Sequence, residues 1–339
     1  MSDVIEGTVL AGPEYEAIEG RIVVEDGEIA ALEEAEAETT DLIIPAFVNA
    51  HTHVGDSIAK EAGEGLSLTE LVAPPDGLKH RLLRAADRTE VIDAIRRSVS
   101  FMRAGGTAAF LDFREGGVEG VDILREATAD SDIRGKALAR GAVEAMAAGD
   151  GFGAPSARDG DFGELREVTR EAGKPFGIHA GERDPDDVDG AFALDPDFLV
   201  HMVHPHGAHL DRLEAAGIPV VVCPRSNLVT DAGVPPIREL LERTTVALGT
   251  DNVMLNSPSM FREMEFAAKL ADVSAREVLR MATRAGAEIA GLDWGVIEKD
   301  RPAKLIVLDG DSDNLGGAKS PVRAVVRRAG VGDVKRVLL

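Results

Sequence analysis

Between residues 44 and 294 short apolar runs alternate with stretches of helical periodicity, and this alternation confines the chain to a parallel α/β fold. Runs that read as strands are 42–51, 107–113, 136–143, 176–179, 198–201, 220–223 and 245–249. Helical patterns lie between several of them, at 89–104, 162–172, 211–216 and 259–271. One more, 274–289, follows the last strand and opens on a serine cap, Ser274. An eighth strand is expected near 151–157, where frequent glycine weakens the signal. The expected fold is therefore α/β, a (β/α)8 TIM-like barrel over residues 44–294.

The flanks read differently. Gly20-Arg-Ile-Val-Val and Gly27-Glu-Ile-Ala-Ala-Leu are separated by Glu25-Asp26, a hairpin pattern. Near the other end, Ala303-Lys-Leu-Ile-Val-Leu-Asp309 and Pro321-Val-Arg-Ala-Val-Val-Arg327 read as two more strands. Neither end has enough strands for its own core. Residues 1–43 together with 295–339 are expected to form one small β-sandwich domain, with the barrel inserted into it.

Composition removes several functions. No apolar run approaches the ~18–20 residues of a membrane span, and the start MSDVIEGTVL has no basic end leading into an apolar stretch. The single cysteine, Cys223, excludes an internal disulfide framework and a cysteine-cluster metal site. A net charge of −23 repels phosphate backbones and anionic lipid. The expected protein is cytoplasmic and works on a small-molecule substrate, without nucleic acid or membrane; a homo-oligomer stays open. The acids are spread along the whole chain and lysine is scarce, a pattern of adaptation to a salt-rich, halophilic cytoplasm.

The chemistry sits at the strand ends. His51-Thr52-His53 closes the first apolar run, and side chains two apart on a strand share a face. His179 ends another run, with Glu182 three residues on; His201 ends Phe198-Leu-Val-His; Asp251 follows Val246-Ala-Leu-Gly-Thr. A lone histidine at a strand end is usually a hydrogen-bonded core residue. Ionisable groups at several strand ends of one barrel are costly to bury without a partner. Three imidazoles and a carboxylate suit one divalent transition metal, Zn²⁺ ahead of Fe²⁺.

In their order along the chain, Pro45-Ala-Phe-Val-Asn-Ala-His-Thr-His53, His179-Ala-Gly-Glu182, His201-Met-Val-His204, Cys223-Pro-Arg-Ser-Asn227 and Leu248-Gly-Thr-Asp251 resemble the amidohydrolase superfamily. The branch they resemble holds the cytosine, guanine and S-adenosylhomocysteine deaminases and the triazine chlorohydrolases. The flanks resemble that branch's split β-sandwich. The resemblance implies that His51, His53, His179 and Asp251 ligate the metal, and that Asp251 also takes a proton from the attacking water. It implies that His201 steadies the developing oxyanion and that Glu182 protonates the ring nitrogen beside the attacked carbon. His204 and Asn227 are the weaker candidates for touching substrate. Ala46, Asn252 and the segment 55–80 depart from the family pattern, and 55–80 should help to build the substrate pocket.

The resemblance implies a metal-dependent hydrolase of non-peptide C–N bonds, in the first place an aminohydrolase of a cyclic amidine such as a nucleobase, nucleoside or pterin. A second reading is a two-metal cyclic amide or imide hydrolase of the dihydroorotase and hydantoinase kind. That needs a carboxylated lysine ending strand four, and residues 151–160 contain none. A third is a catalytically inactive metal-binding relative. The patch Lys79-His80-Arg81 reads as a solvated helix start, His206 and His209 as surface residues, and Cys223 as a packing residue.

Overall fold

The computed structural model describes residues 2–339. Strands β1 (Ser2–Ala11), β2 (Glu16–Glu25) and β3 (Glu28–Glu34) form an antiparallel meander. β4 (Leu42–Pro45) runs parallel to β1 on its other side. At Ala46 the chain changes sheets. Ala46 N donates to Lys304 O in the terminal sheet, and Phe47 N donates to Gly106 O in the barrel. The single strand expected over 42–51 is thus two strands in two sheets, because its two halves find different partners.

The barrel follows as β5 (Phe47–His53), β6 (Thr107–Arg114), β7 (Arg134–Ala139), β8 (Gly151–Ser156), β9 (Phe176–Ala180), β10 (Phe198–His201), β11 (Val220–Val222) and β12 (Val246–Leu248). Each is parallel to its neighbour in chain order. A two-residue strand, β13 (Asp251–Asn252), continues β12 past a break and pairs with β5, which brings the sheet back to its first strand. Asn49 and Thr250 add further bonds to that pairing. Asn49 Nδ2 donates to Thr250 Oγ1 at 2.7 Å, Thr250 N donates to Asn49 Oδ1 at 3.0 Å, and the same amide meets His51 O at 3.0 Å. Gly249 makes the approach possible, since a Cβ there would lie 2.7 Å from His51 Cβ.

Strand β8 explains its own weak signal. A Cβ on Gly153 would lie 2.5 Å from the Phe113 ring, so glycine is what lets that ring fill the barrel interior. The helix at 274–289 is interrupted at Thr283, giving helices Ala275–Ala282 and Arg284–Ile289. Thr283 Oγ1 donates to Leu279 O and shares a 2.7 Å hydrogen bond with buried Tyr15 Oη. These bonds draw the side chain at the break towards the terminal segment.

After the barrel, β14 (Leu305–Leu308) and β15 (Val334–Leu338) complete the terminal sheet in the order β15-β14-β4-β1-β2-β3. The stretch 321–327, expected as a strand, is instead the helix Pro321–Arg327. Its buried residues Val322, Val325 and Val326 recur at helical spacing, and Ser320-Pro321 supplies a helix start with proline at the first position. The terminal sheet buries both faces. Ile5, Val9, Ile22, Ile29, Ile43 and Leu305 share one apolar cluster, while Leu10, Leu42, Ile44, Ile306 and Leu308 join the main core with the barrel and its helices. No helix among the described residues is long and apolar enough to cross a membrane.

Candidate functional site

Period-two alternation along β5 sends His51 and His53 to the same side, into the barrel mouth at the carboxyl ends of the strands. His179 on β9 and Asp251 on β13 meet them there. One donor atom from each of these four buried or nearly buried side chains lies within 4.8 Å of the others. Asp251 Oδ1 is 3.3 Å from His51 Nε2 and 3.5 Å from His53 Nε2.

The surroundings fix which nitrogens are free. His53 Nδ1 donates to Phe113 O at 3.1 Å and His179 Nδ1 donates to Ala154 O at 2.9 Å. A carbonyl only accepts, so each ring carries its proton on Nδ1 and leaves the Nε2 lone pair for the centre. Neither ring nitrogen of His51 has a hydrogen bond of good geometry, although both are buried. An orphaned buried imidazole is costly. Burial drives the pKa of His51 down to about 4 and that of His53 down to about 3, so both stay neutral at pH 7. Three neutral imidazoles and a carboxylate, one imidazole otherwise unsatisfied, fit a divalent metal.

The carboxylate is held from outside the cluster. Ser226 Oγ donates to Asp251 Oδ2 at 2.6 Å and Asn252 Nδ2 donates to Oδ1 at 3.0 Å. His201 is oriented by Asn227, whose Nδ2 donates to His201 Nδ1 at 3.1 Å. That leaves the proton on His201 Nε2, which faces Glu182 Oε2 at 3.7 Å. Glu182, His201 and Asp251 form a second close group sharing Asp251 with the first. His201 and Asp251 both adopt left-handed backbone, with φ of 80° and 58°. Backbone of this kind in non-glycine residues concentrates at functional sites.

A cleft opens over the cluster, lined by His53, His179, Glu182, His201 and Asp251 and roofed by Leu68, Thr69, Val72, Ala73 and Pro74. The segment 55–80 therefore does build the cavity. Burial raises the Glu182 carboxyl above its ordinary value; His201 works against this and Asp251 adds to it. Such a group holds a proton closer to neutrality than an exposed glutamate does. His204 does not join the cluster: its Nε2 bonds Ala232 O at 2.8 Å, and it does not line the cleft. Asn227 is fully buried behind His201 and does not line the cleft either. His80 is tied to Val72 O.

Sequence reasoning missed a buried ionic group beside His53. Lys79, expected in a solvated patch, has a side chain only 2% exposed and its Nζ is 2.7 Å from Glu115 Oε1. Arg140 Nη1 reaches the same oxygen at 3.1 Å, and so does His53 Nδ1. Burial pushes Glu115 up, but Lys79, then His53 and Arg140, outweigh it and hold the carboxyl well below its ordinary value. Glu115 and Arg140 each directly follow a barrel strand, β6 and β7, so the strand-end criterion that found the histidines also reaches them. Lys79 lies on the helix Leu78–Ala85, where that criterion is silent.

The amidohydrolase family pattern matches residues 42–338. A putative aminohydrolase of Methanothermobacter thermautotrophicus is 38% identical, over 89% of this chain and 90% of its own length. A 5-methylthioadenosine/S-adenosylhomocysteine deaminase of Halobacterium salinarum is 30% identical, over 100% of this chain and 91% of its own. Among solved structures, an adenosine deaminase from Xanthomonas campestris with bound zinc superposes with a TM-score of 0.80 at 20% identity, over 99% of this chain and 91% of that one. The match runs through both the barrel and its terminal sheet, and the donor cluster falls within the matched residues. The chain belongs to the amidohydrolase family, and it is a hydrolase that acts on carbon–nitrogen bonds.

Proposed function

We propose that this hydrolase is an aminohydrolase, removing an exocyclic amino group from a cyclic amidine such as a nucleobase, nucleoside or pterin. The observation that carries the reading is the meeting, in one cleft, of the four-donor cluster with Glu182 and His201, neither of which belongs to the donor set. The deaminase names of several relatives support the same reading. His51, His53, His179 and Asp251 are proposed to hold one divalent metal, zinc ahead of iron; a zinc-bound neighbour with this fold supports that choice.

Bound there, the metal supplies the Lewis acidity that makes water a nucleophile at neutral pH. The side chains do the rest. Asp251 takes the proton from the attacking water. Glu182, whose carboxyl is raised above its ordinary value, delivers a proton to the ring nitrogen next to the attacked carbon, without which the carbon is a poor electrophile. His201, held by Asn227 with Nε2–H pointing inward, donates to the developing oxyanion. The proton held by Asp251 then passes to the amino group; as ammonia leaves, the added hydroxyl gives its proton to the Glu182 carboxylate, so that the carbonyl forms and the acid is restored.

The test is purified protein in high salt, with metal content measured and ammonia followed over a panel of nucleobases, nucleosides and pterins. The expected result is one metal per chain and ammonia released from at least one ring. Two metals per chain, or turnover confined to cyclic imides without ammonia, would overturn it.

A further inference from the structure

The charged group beside His53, two of whose members, Lys79 and Arg140, also line the cleft, has no role in the chemistry above. One oxygen, Glu115 Oε1, has three nitrogens around it: Lys79 Nζ at 2.7 Å, Arg140 Nη1 at 3.1 Å and His53 Nδ1 at 3.1 Å. The two cations arrive from different parts of the fold and each has a second anchor. Lys79 Nζ also donates to Asn252 Oδ1 at 3.2 Å, and Arg140 Nε donates to Gly153 O at 3.0 Å. The carboxylate is therefore gripped from two sides, with its side chain 10% exposed. The three imidazoles of the cluster are unequal in this respect. His179 Nδ1 has a carbonyl as its acceptor, with Arg140 Nη2 3.4 Å away, and His51 Nδ1 has no partner, whereas His53 Nδ1 bonds Phe113 O and also has a carboxylate oxygen beside it at 3.1 Å.

We propose that Glu115, clamped between Lys79 and Arg140, is a positioning residue that sets the metal affinity of the site through His53. This rests on the metal-site reading above and extends it. A negative charge at Nδ1–H pushes electron density to Nε2 and fixes the ring plane, making the imidazole a stronger donor. Loss of such an outer partner typically weakens metal binding by about 10–100-fold. The competing account is that Glu115 merely neutralises two buried cations while Phe113 O alone orients His53.

Metal affinity separates the two accounts, measured on metal-free protein by competition between the site and a zinc chelator in high salt. Glu115→Gln keeps the shape and removes the charge, and is expected to weaken zinc binding by about 10–100-fold. Glu115→Asp keeps the charge for Lys79 and Arg140 but shortens the reach to His53, and is expected to weaken it similarly. The double variant Lys79→Met/Glu115→Gln removes one charge of each sign and guards against misfolding of the single variant. It is expected to stay as weak as Glu115→Gln, although its thermal stability recovers. Zinc affinity at the wild-type level in Glu115→Asp or in the double variant overturns the proposal and leaves the neutralising account. Absence of zinc binding by the wild type, or undiminished binding by His53→Ala, would instead remove the metal-site reading itself.

Discussion

Glu182 and His53 occupy the same cleft but make opposite predictions. Glu182 lies three residues past His179, leaning over the cluster towards His201 without belonging to the four-donor set. Glu182→Gln should keep its metal and its affinity for a substrate analogue, while turnover falls by about 10²–10⁴-fold, the usual worth of a positioned acid. Metal analysis alongside ammonia release checks both halves. His53→Ala should lose the metal outright, whereas His204→Ala, whose ring is spent on Ala232 O, should keep both metal and turnover. Chain order and strand ends make His51, His53, His179, His201, Glu182 and Asp251 legible in the sequence as neighbours, because a parallel barrel gathers its strand ends in one place. Lys79 was not legible. It lies 26 positions past His53 on a helix, and only the folded path of 54–86 brings it into the cleft lining beside Glu115.

At the scale of elements, the helix Ala275–Ala282 offers a clean measurement. Ser274 caps it, Glu277 reciprocates through a 2.7 Å bond from Ser274 N, and Arg238 Nη2 donates to Glu277 at 2.9 Å. The Arg238 hydrogen bond is the main reason the Glu277 carboxyl is held at a pKa of about 2. A carboxyl depressed on folding stabilises the fold above its unfolded pKa, and that contribution is lost as pH falls through the folded one. The melting-point gap between wild type and Glu277→Gln should therefore be full above about pH 5, shrink below the ordinary value of about 4.3, and close near pH 2. Ser274→Ala should cost about 1 kcal/mol, the usual loss of a helix cap, read by chemical denaturation. Strand β8 supplies a second case. Gly153→Ala pushes a methyl into the Phe113 ring, which packs edge-on against His51 and His179, and overpacking of this kind costs about 1–3 kcal/mol. The same crowding explains why β8 is the faintest strand in the sequence: Gly153 answers to a ring from β6 and Gly151 to the backbone of Pro175, which no local pattern reveals. The stretch 321–327 misled in the other direction. Its valines satisfy a strand's composition, but Ser320-Pro321 and the spacing of Val322, Val325 and Val326 belong to a helix.

At the scale of the whole molecule two electrostatic effects compete, and salt acts on them with opposite sign. The 60 acidic side chains exceed the 37 basic ones by 23, and their mutual repulsion destabilises the compact state. Against this, arginines such as Arg88, Arg103, Arg243 and Arg336 pair with surface carboxylates. Exposed pairs of that kind are each worth about 0–1 kcal/mol, and added salt weakens them. The repulsion acts between every pair of excess charges and over longer distances, so it is the larger quantity at low ionic strength. Raising ionic strength shortens the screening length from about 10 Å at 0.1 M to about 3 Å at 1 M, which removes the distant repulsions first and touches contact pairs least. The melting temperature should therefore rise as KCl is increased from 0.1 M to 2 M. If the surface pairs dominated instead, the midpoint would stay flat or fall over the same range. Lys79 and Glu115 supply an internal control, since they are buried and little screened. Zinc affinity, corrected for the salt dependence of the chelator, should change far less across the series than the melting point does. A metal affinity that collapsed at low salt while the fold stayed intact would mean that the charge of the whole surface, and not the residues around His53, governs the site.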